Sequence, residues 1–272
     1  MNGIEFYKMS GSGNDLILID NRNGQMESND CFEFAKMVCR RRMSVGADGL
    51  IIIEDSDTAD FRWQFINADG SEADMCGNGA RCAARFAYLT GMTGPRMIFE
   101  TGAGLIQAEV DQEWVRVKMT DPADLHLAEK VQVDGRTESI HRINTGVPHA
   151  VLAVEDLEMI LVDSFGPLIR YHRQYAPEGV NVNFIQLRQD ETIAIRTYER
   201  GVEAETLACG TGSVAGAIIA SRLFGLEAPI RMIVRSGLPL EVSFTKTGNQ
   251  YQNIYLKGDA RVIYRGILEK AV

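Results

Sequence analysis

No apolar run in this 272-residue chain approaches the roughly 20 consecutive residues a membrane-spanning helix needs, so such a helix is excluded. The first twenty residues lack a basic stretch, an apolar core and a small-residue cleavage site, so no secretory signal is expected. Positive charge is scarce. Lys and Arg number 28 against 37 Asp and Glu, a net charge of −9, which argues against nucleic acid as a partner. There is no Cys-x-x-Cys pair. The four histidines, His126, His141, His149 and His172, share no metal-ligand spacing with one another or with a cysteine, so no metal is expected. The five cysteines, Cys31, Cys39, Cys76, Cys82 and Cys209, are odd in number and sit in a long chain. Reduced thiols in a cytoplasmic protein are therefore expected, not a disulfide framework.

What is present is ordinary globular material. Apolar residues make up 45% and charged residues 24%, which excludes disorder, and the length suits one large or two smaller domains. Short stretches rich in Ile, Val and aromatics predict strands at 16–20, 49–54, 61–67, 97–100, 114–119, 150–154, 183–187, 192–198, 231–234, 240–244 and 260–264. An amphipathic helix is predicted over 30–42, capped by Asp30 or Asn29. Two further helices, about 78–90 and 211–224, are stopped by Gly91 and Gly225. Both are apolar on most faces, as expected of helices wrapped by other elements.

These two helices begin alike. Met75-Cys76-Gly77-Asn78-Gly79-Ala80 opens one and Ala208-Cys209-Gly210-Thr211-Gly212-Ser213 opens the other, 133 positions later. Each follows an acidic turn. The chain therefore reads as two copies of one α/β unit, with a boundary near Thr120-Asp121-Pro122. Cys82, deep among alanines, reads as core, and Cys31 and Cys39 as ordinary helix positions.

A cysteine at a helix N-terminus sits in the positive end of the macrodipole, which favours thiolate. Asn78 and Thr211 are the expected caps, and the exposed N–H groups beyond them can bind a carboxylate. Brought to opposite faces of one α-carbon, the two sulfurs can invert it. One thiolate takes the α-proton and the other thiol returns a proton, without pyridoxal or metal. Helix-end donors would stabilise the enediolate. A single such cysteine is commonly just a small apolar residue. Two at a half-chain offset are harder to assign to packing. Gly210-x-Gly-x-x-Ala also matches part of a dinucleotide fingerprint, but the residues before both helices are too polar for the buried strand that motif requires.

At this point the sequence resembles the diaminopimelate epimerase family over nearly its whole length. The resemblance rests on Lys8-Met-Ser-Gly-Ser-Gly-Asn-Asp15, on the run from Asn67 to Arg81, and on Pro148-His149. It continues in the run from Glu178 to Phe184, in Tyr198-Glu-Arg-Gly201, and in Glu205-Thr-Leu-Ala-Cys-Gly-Thr-Gly212. It implies a mixed α/β (α+β) fold of two pseudo-symmetric lobes, 1–119 and 120–260, with 261–272 returning to the first. Each lobe would be a curled mixed sheet around a central helix. It implies cofactor-independent interconversion of LL- and meso-diaminopimelate, in lysine and peptidoglycan precursor synthesis, with Cys76 and Cys209 as the acid–base pair. Gly77, Asn78, Gly210 and Thr211 match the carboxylate cradle. Arg200, with the amides Asn14, Asn67 and Asn181, matches the far end of the substrate. Glu199 can hold the reacting ammonium, and His149 is an accessory residue. The expected partner is a small amino acid, and the family implies a homodimer.

Three features depart from the family pattern. Val147 stands where Asn often precedes Pro-His, and Gly49 stands where Gln often follows the Gly-x-Asp turn. The stretch from Arg200 to Cys209 is one residue longer, near Glu203-Ala204. All three bear on the substrate's far end, so a racemase of another amino acid, such as histidine, with the same two cysteines is the alternative. A non-enzymatic amino-acid binder or a dithiol redox switch is the reading from another class. Deuterium exchange at Cα separates the enzymes from both.

Overall fold

The computed structural model describes residues 3–26 and 30–269. The chain divides into two compact units, Met1–Val117 with Gly258–Val272, and Lys118–Lys257.

The first unit contains β1 (Ile4–Gly11), β2 (Asn14–Asp20), α1 (Cys31–Val38), β3 (Gly49–Glu54), β4 (Phe61–Asn67), α2 (Gly77–Leu89), β5 (Arg96–Thr101), β6 (Gly104–Asp111) and β7 (Trp114–Lys118). The second contains β8 (Ala123–Val133), β9 (Arg136–Asn144), β10 (Pro148–Ala153), α3 (Val162–Arg170), β11 (Asn181–Leu187), β12 (Ile193–Glu199), β13 (Ala204–Thr206), α4 (Gly210–Phe224), β14 (Ile230–Ile233), β15 (Pro239–Thr247) and β16 (Gln250–Asp259), whose last two residues, Gly258 and Asp259, fall in the first unit. β17 (Arg261–Leu268) returns to pair with β1 in the first unit.

The two units repeat one topology. In the first, β17-β1-β2-β3-β4-β5-β6-β7 are neighbours, with β2–β3 and β4–β5 parallel and the others antiparallel. In the second, β8-β9-β10-β11-β12-β14-β15-β16 follow the same order, with β10–β11 and β12–β14 parallel. The parallel steps are where helices must cross over, because a tight turn cannot join parallel neighbours. α1 and α3 make the first crossover of each unit, and α2 and α4 make the second.

α2 and α4 are the buried axes. Nine of the 13 residues of α2 and 11 of the 15 of α4 are buried, which explains their apolar sequences. α4 ends on Gly225 in the left-handed conformation (φ 73°), a geometry that favours glycine.

The strands predicted from β-branched runs are present; two keep their predicted ends and the others move by up to four residues. β1, β6, β8, β9, β13 and β16 are not in the predicted set. β6 exposes half of its residues and β8 most of them, so an apolar signature is missing from both. The predicted helix at 30–42 is shorter, ending at Val38, because Cys39 caps it and the chain turns to bond Gly46 and Ala47 back onto its end. Asp30 makes no side-chain cap bond, and Asn29 lies outside the described residues. α3 is unpredicted because it contains Gly166 and Pro167, and packing overrides their weak propensity. Gly166 lies so close to the Tyr198 ring that a Cβ there would fall 2.5 Å from Tyr198 Cβ.

Candidate active site

The two cysteines that open α2 and α4 are the helix caps themselves. Cys76 has an extended backbone (φ −142°, ψ 117°), and its Sγ accepts the N–H of Gly79 at 3.4 Å. Cys209 repeats this with φ −116° and ψ 115°, its Sγ accepting the N–H of Gly212 at 3.4 Å. This corrects the sequence expectation that Asn78 and Thr211 cap. Both helices start one residue earlier than predicted, at Gly77 and Gly210, so Asn78 and Thr211 lie inside the first turn. A sulfur that accepts a backbone N–H at a helix N-terminus is in the right place to carry negative charge. Cys82 is fully buried, and burial pushes its thiol up to about 12, as befits core. Cys31 and Cys39 are buried too, their thiols pushed up to about 11 and about 12.

In the first unit, the α2 start is tied down by Arg81, a residue the sequence reading passed over. Its guanidinium is fully buried. It donates to Ser12 Oγ and Asn78 Oδ1 (2.9 Å each), to the Gly77 carbonyl (3.3 Å) and to the Asp259 carbonyl (3.1 Å). The Asp259 carboxylate accepts the Ser12 N–H and hydroxyl at 2.9 and 3.0 Å and pairs with Arg261 at 2.9 Å. Asn78 thus serves this anchor from inside the first turn of α2. Asn14 begins β2, and its buried Oδ1 meets no partner among the described residues. Asn67 ends β4, where its amide donates to Ser71 Oγ at 3.0 Å.

In the second unit, Thr211 Oγ1 lies 3.5 Å from Cys209 Sγ, and the Thr211 carbonyl accepts the Thr145 hydroxyl at 3.0 Å. β11 starts at Asn181, which is buried. Its Nδ2 donates to the Pro148 carbonyl (3.2 Å), and its Oδ1 accepts the Arg200 backbone N–H (2.9 Å), so Asn181 and Arg200 are brought together. The Arg200 guanidinium donates to the Glu178 carbonyl at 3.3 Å. Glu199 ends β12. Burial raises its carboxyl above the ordinary range, opposed by the Thr206 hydroxyl that donates to Oε2 at 2.7 Å.

His149 is completely buried. Burial, and then the positive charge of Arg200, pulls its ring down to about 3, so it is neutral near pH 7. Its Nδ1 lies 2.9 Å from Asn183 Nδ2, and its Nε2 meets no partner among the described residues. Asn183 was also passed over in sequence, although its two-residue spacing from Asn181 puts both on one face of a strand.

The three departures have local explanations. A Cβ at Gly49 would stand 2.6 Å from Phe65 Cε2 and 2.9 Å from the Ile66 carbonyl, so that ring and a larger residue exclude each other. The Val147 carbonyl accepts the Thr145 N–H at 3.1 Å. Glu203 takes a left-handed conformation (φ 58°) in the β12–β13 hairpin, and its carboxylate is held by Arg170 at 3.1 Å and by the Gly201 N–H at 3.0 Å. The longer segment is thus an ordered turn braced by α3.

A family model described as diaminopimelate epimerase matches residues 6–125 and 142–263. A diaminopimelate epimerase of Aquifex aeolicus is 44% identical over 281 residues, covering 99% of this chain and 99% of that protein. One from Chlorobaculum tepidum is 44% identical over 264 residues, covering 96% and 99%. Among solved structures, a phenazine biosynthesis protein of the PhzF family from Bacillus anthracis matches with a TM-score of 0.75 at 15% identity, covering 98% of this chain and 99% of that one. At that identity the likeness is of fold, and it agrees with the mixed α+β repeat described above. The match spans both cysteine-capped helices, and the chain belongs to the diaminopimelate epimerase family.

Proposed function

We propose that this chain interconverts LL- and meso-diaminopimelate by proton transfer between Cys76, Cys209 and one α-carbon, without a cofactor. The observation that carries the reading is the repeated cap. In each unit a cysteine sulfur takes the third N–H of a buried helix. Two equivalent sulfurs are what inversion needs, one for each face of the carbon. The thiolate removes the α-proton and its electron pair moves into the carboxylate as an enediolate. The opposite thiol then delivers a proton to the other face and becomes the thiolate. Which cysteine acts first depends on the isomer, so both serve in both roles.

The α-carboxylate would rest on the first-turn N–H groups of Gly77, Asn78, Gly210 and Thr211, whose positive ends stabilise the enediolate as it forms. Glu199 would face the reacting ammonium, which restores charge to its buried carboxyl. Arg200 has the planar fork suited to the distal carboxylate, and its backbone is fixed by Asn181. Asn14 and Asn67 are the amides assigned to the distal amino acid. His149, held neutral, acts as a hydrogen-bonding group and not as the base. A cytoplasmic setting keeps such thiols reduced.

Incubation with LL- or meso-diaminopimelate in D2O tests this. Deuterium enters at Cα in the wild type, and Cys76→Ala or Cys209→Ala abolishes epimerisation while permitting slow elimination from a substrate with a β leaving group. Retained epimerisation in either variant refutes the two-thiol assignment. Exchange with histidine and not with diaminopimelate moves the substrate to the alternative, which the diaminopimelate epimerase relatives do not favour.

A further inference from the structure

The two units solve the same packing problem with different chemistry. By strand register, Leu16 pairs with Gly49 as His149 pairs with Asn181. Ile51 sits between Leu18 and Phe65 as Asn183 sits between Val151 and Thr197. His149, Asn183 and Thr197 in the second unit therefore occupy the places of Leu16, Ile51 and Phe65 in the first. All six are buried. The helix starts agree with this match. A Cβ on Gly79 would touch Ile51 Cδ1 at 3.2 Å, whereas one on Gly212 would overlap Asn183 Oδ1. The first unit shows that the fold is satisfied by an apolar trio here. A polar trio costs desolvation, so it calls for another reason.

The hydrogen bonds supply one. A backbone carbonyl only accepts, so the 3.3 Å bond to the Ala150 carbonyl fixes which end of the Asn183 amide is Nδ2. Thr197 Oγ1 donates to the other end, Oδ1, at 3.0 Å. Nδ2 then faces His149 Nδ1 at 2.9 Å, and two donors cannot face each other, so Nδ1 is the acceptor. In a neutral ring the proton is then on Nε2, the buried atom that meets no partner among the described residues.

Resting on the proposed epimerase reading, we propose that Asn183, braced by Thr197, is a positioning residue. It locks His149 in the Nε2–H tautomer, as a donor to an oxygen of the bound amino acid, and props the Gly212 turn that carries Cys209. The donor is presented without charge, so it stabilises a developing oxyanion without competing for the α-proton.

The test uses the full-length protein with 15N-labelled histidine. The wild-type His149 signals are expected to show a bare Nδ1 and a protonated Nε2. Asn183→Asp replaces the donor with an acceptor, which moves the proton to Nδ1 and lowers kcat/KM for α-proton exchange about tenfold or more. Asn183→Leu, an apolar residue as in the other unit, leaves His149 Nδ1 and Thr197 Oγ1 without their partner and is expected to lower Tm by a few degrees. It also frees the ring to take either tautomer, and mixed 15N signals together with a similar fall in kcat/KM are what a purely structural role would not produce. A protonated Nδ1 in the wild type, or wild-type kcat/KM in both variants, overturns the proposal. A wild type that exchanges no α-proton refutes the epimerase reading instead, and the 15N signature still judges the tautomer.

Discussion

Gly79 and Gly212 hold the same place in the two helices, three residues after the capping cysteine, yet alanine is expected to affect them differently. At Gly79 the nearest atoms to a new Cβ are Ile51 Cδ1 at 3.2 Å, Trp63 Cζ3 at 3.3 Å and Cys76 Cβ at 3.4 Å. The first of these is the end of a flexible side chain and can yield by a few tenths of an ångström. That cost is offset by the gain of up to about 1 kcal/mol on replacing glycine by alanine in a helix. At Gly212 the Cβ overlaps Asn183 Oδ1, with Cys209 Sγ at 3.2 Å and Cys209 Cβ at 3.3 Å. The Asn183 amide is held by Ala150, Thr197 and His149 and cannot turn aside. Overpacking of this kind costs about 1–3 kcal/mol, and the rigid amide puts it at the upper end. Set against the helix gain, about 2 kcal/mol remains. At roughly 2–4 °C per kcal/mol, Gly212→Ala is expected to lower Tm by about 4–8 °C, while Gly79→Ala stays within about 2 °C. Because the Gly212 N–H is also the Cys209 sulfur's donor, α-proton exchange with diaminopimelate should fall about tenfold in Gly212→Ala. Thermal unfolding followed by circular dichroism and the exchange assay measure the two effects. Equal Tm and equal exchange for the two variants would show that the reasoning is wrong.

Arg81→Met leaves Asp259, Ser12 and Asn78 without their buried cation and is expected to cost about 3–5 kcal/mol, read as a Tm loss on the order of 10 °C, with Arg81→Lys failing to restore it because one ammonium cannot serve four separated acceptors; a loss below about 1 kcal/mol contradicts the anchor. His149 makes stability depend on pH. Its folded value is near 3 against an ordinary 6.5, so the contribution is complete above pH 6.5 and is lost as the unfolded chain takes up a proton below it. The slope is about 1.4 kcal/mol per pH unit down to pH 3. Urea unfolding between pH 7 and 4 should therefore show the wild type losing stability faster than His149→Leu by that slope, and parallel curves would contradict a buried neutral ring.

Much of the candidate site is legible in sequence because local chemistry specifies it. Cys-Gly-x-Gly followed by an apolar run can only open a buried helix, so Cys76 and Cys209 are found at the caps of α2 and α4 without any knowledge of the sheets. Asn181 and Arg200 are legible as motif residues. Their mutual bond is not, because it joins the start of β11 to the turn after β12. Arg81 reads as one polar residue among alanines, and nothing nearby announces its partners. Ser12 and Asp259 come from opposite ends of the chain.

The order of apolar and polar residues along the chain was sufficient to set the doubled α/β unit and its two thiol-bearing helices, because periodicity and helix-end chemistry act over a few residues. Strand register was decided only in three dimensions. It is register that sets His149, Asn183 and Thr197 where Leu16, Ile51 and Phe65 stand in the other unit, and so gives two similar helix starts different surroundings. Register depends on contacts between residues far apart in the chain, and those contacts fix the hydrogen bonds that choose which ring nitrogen carries the proton.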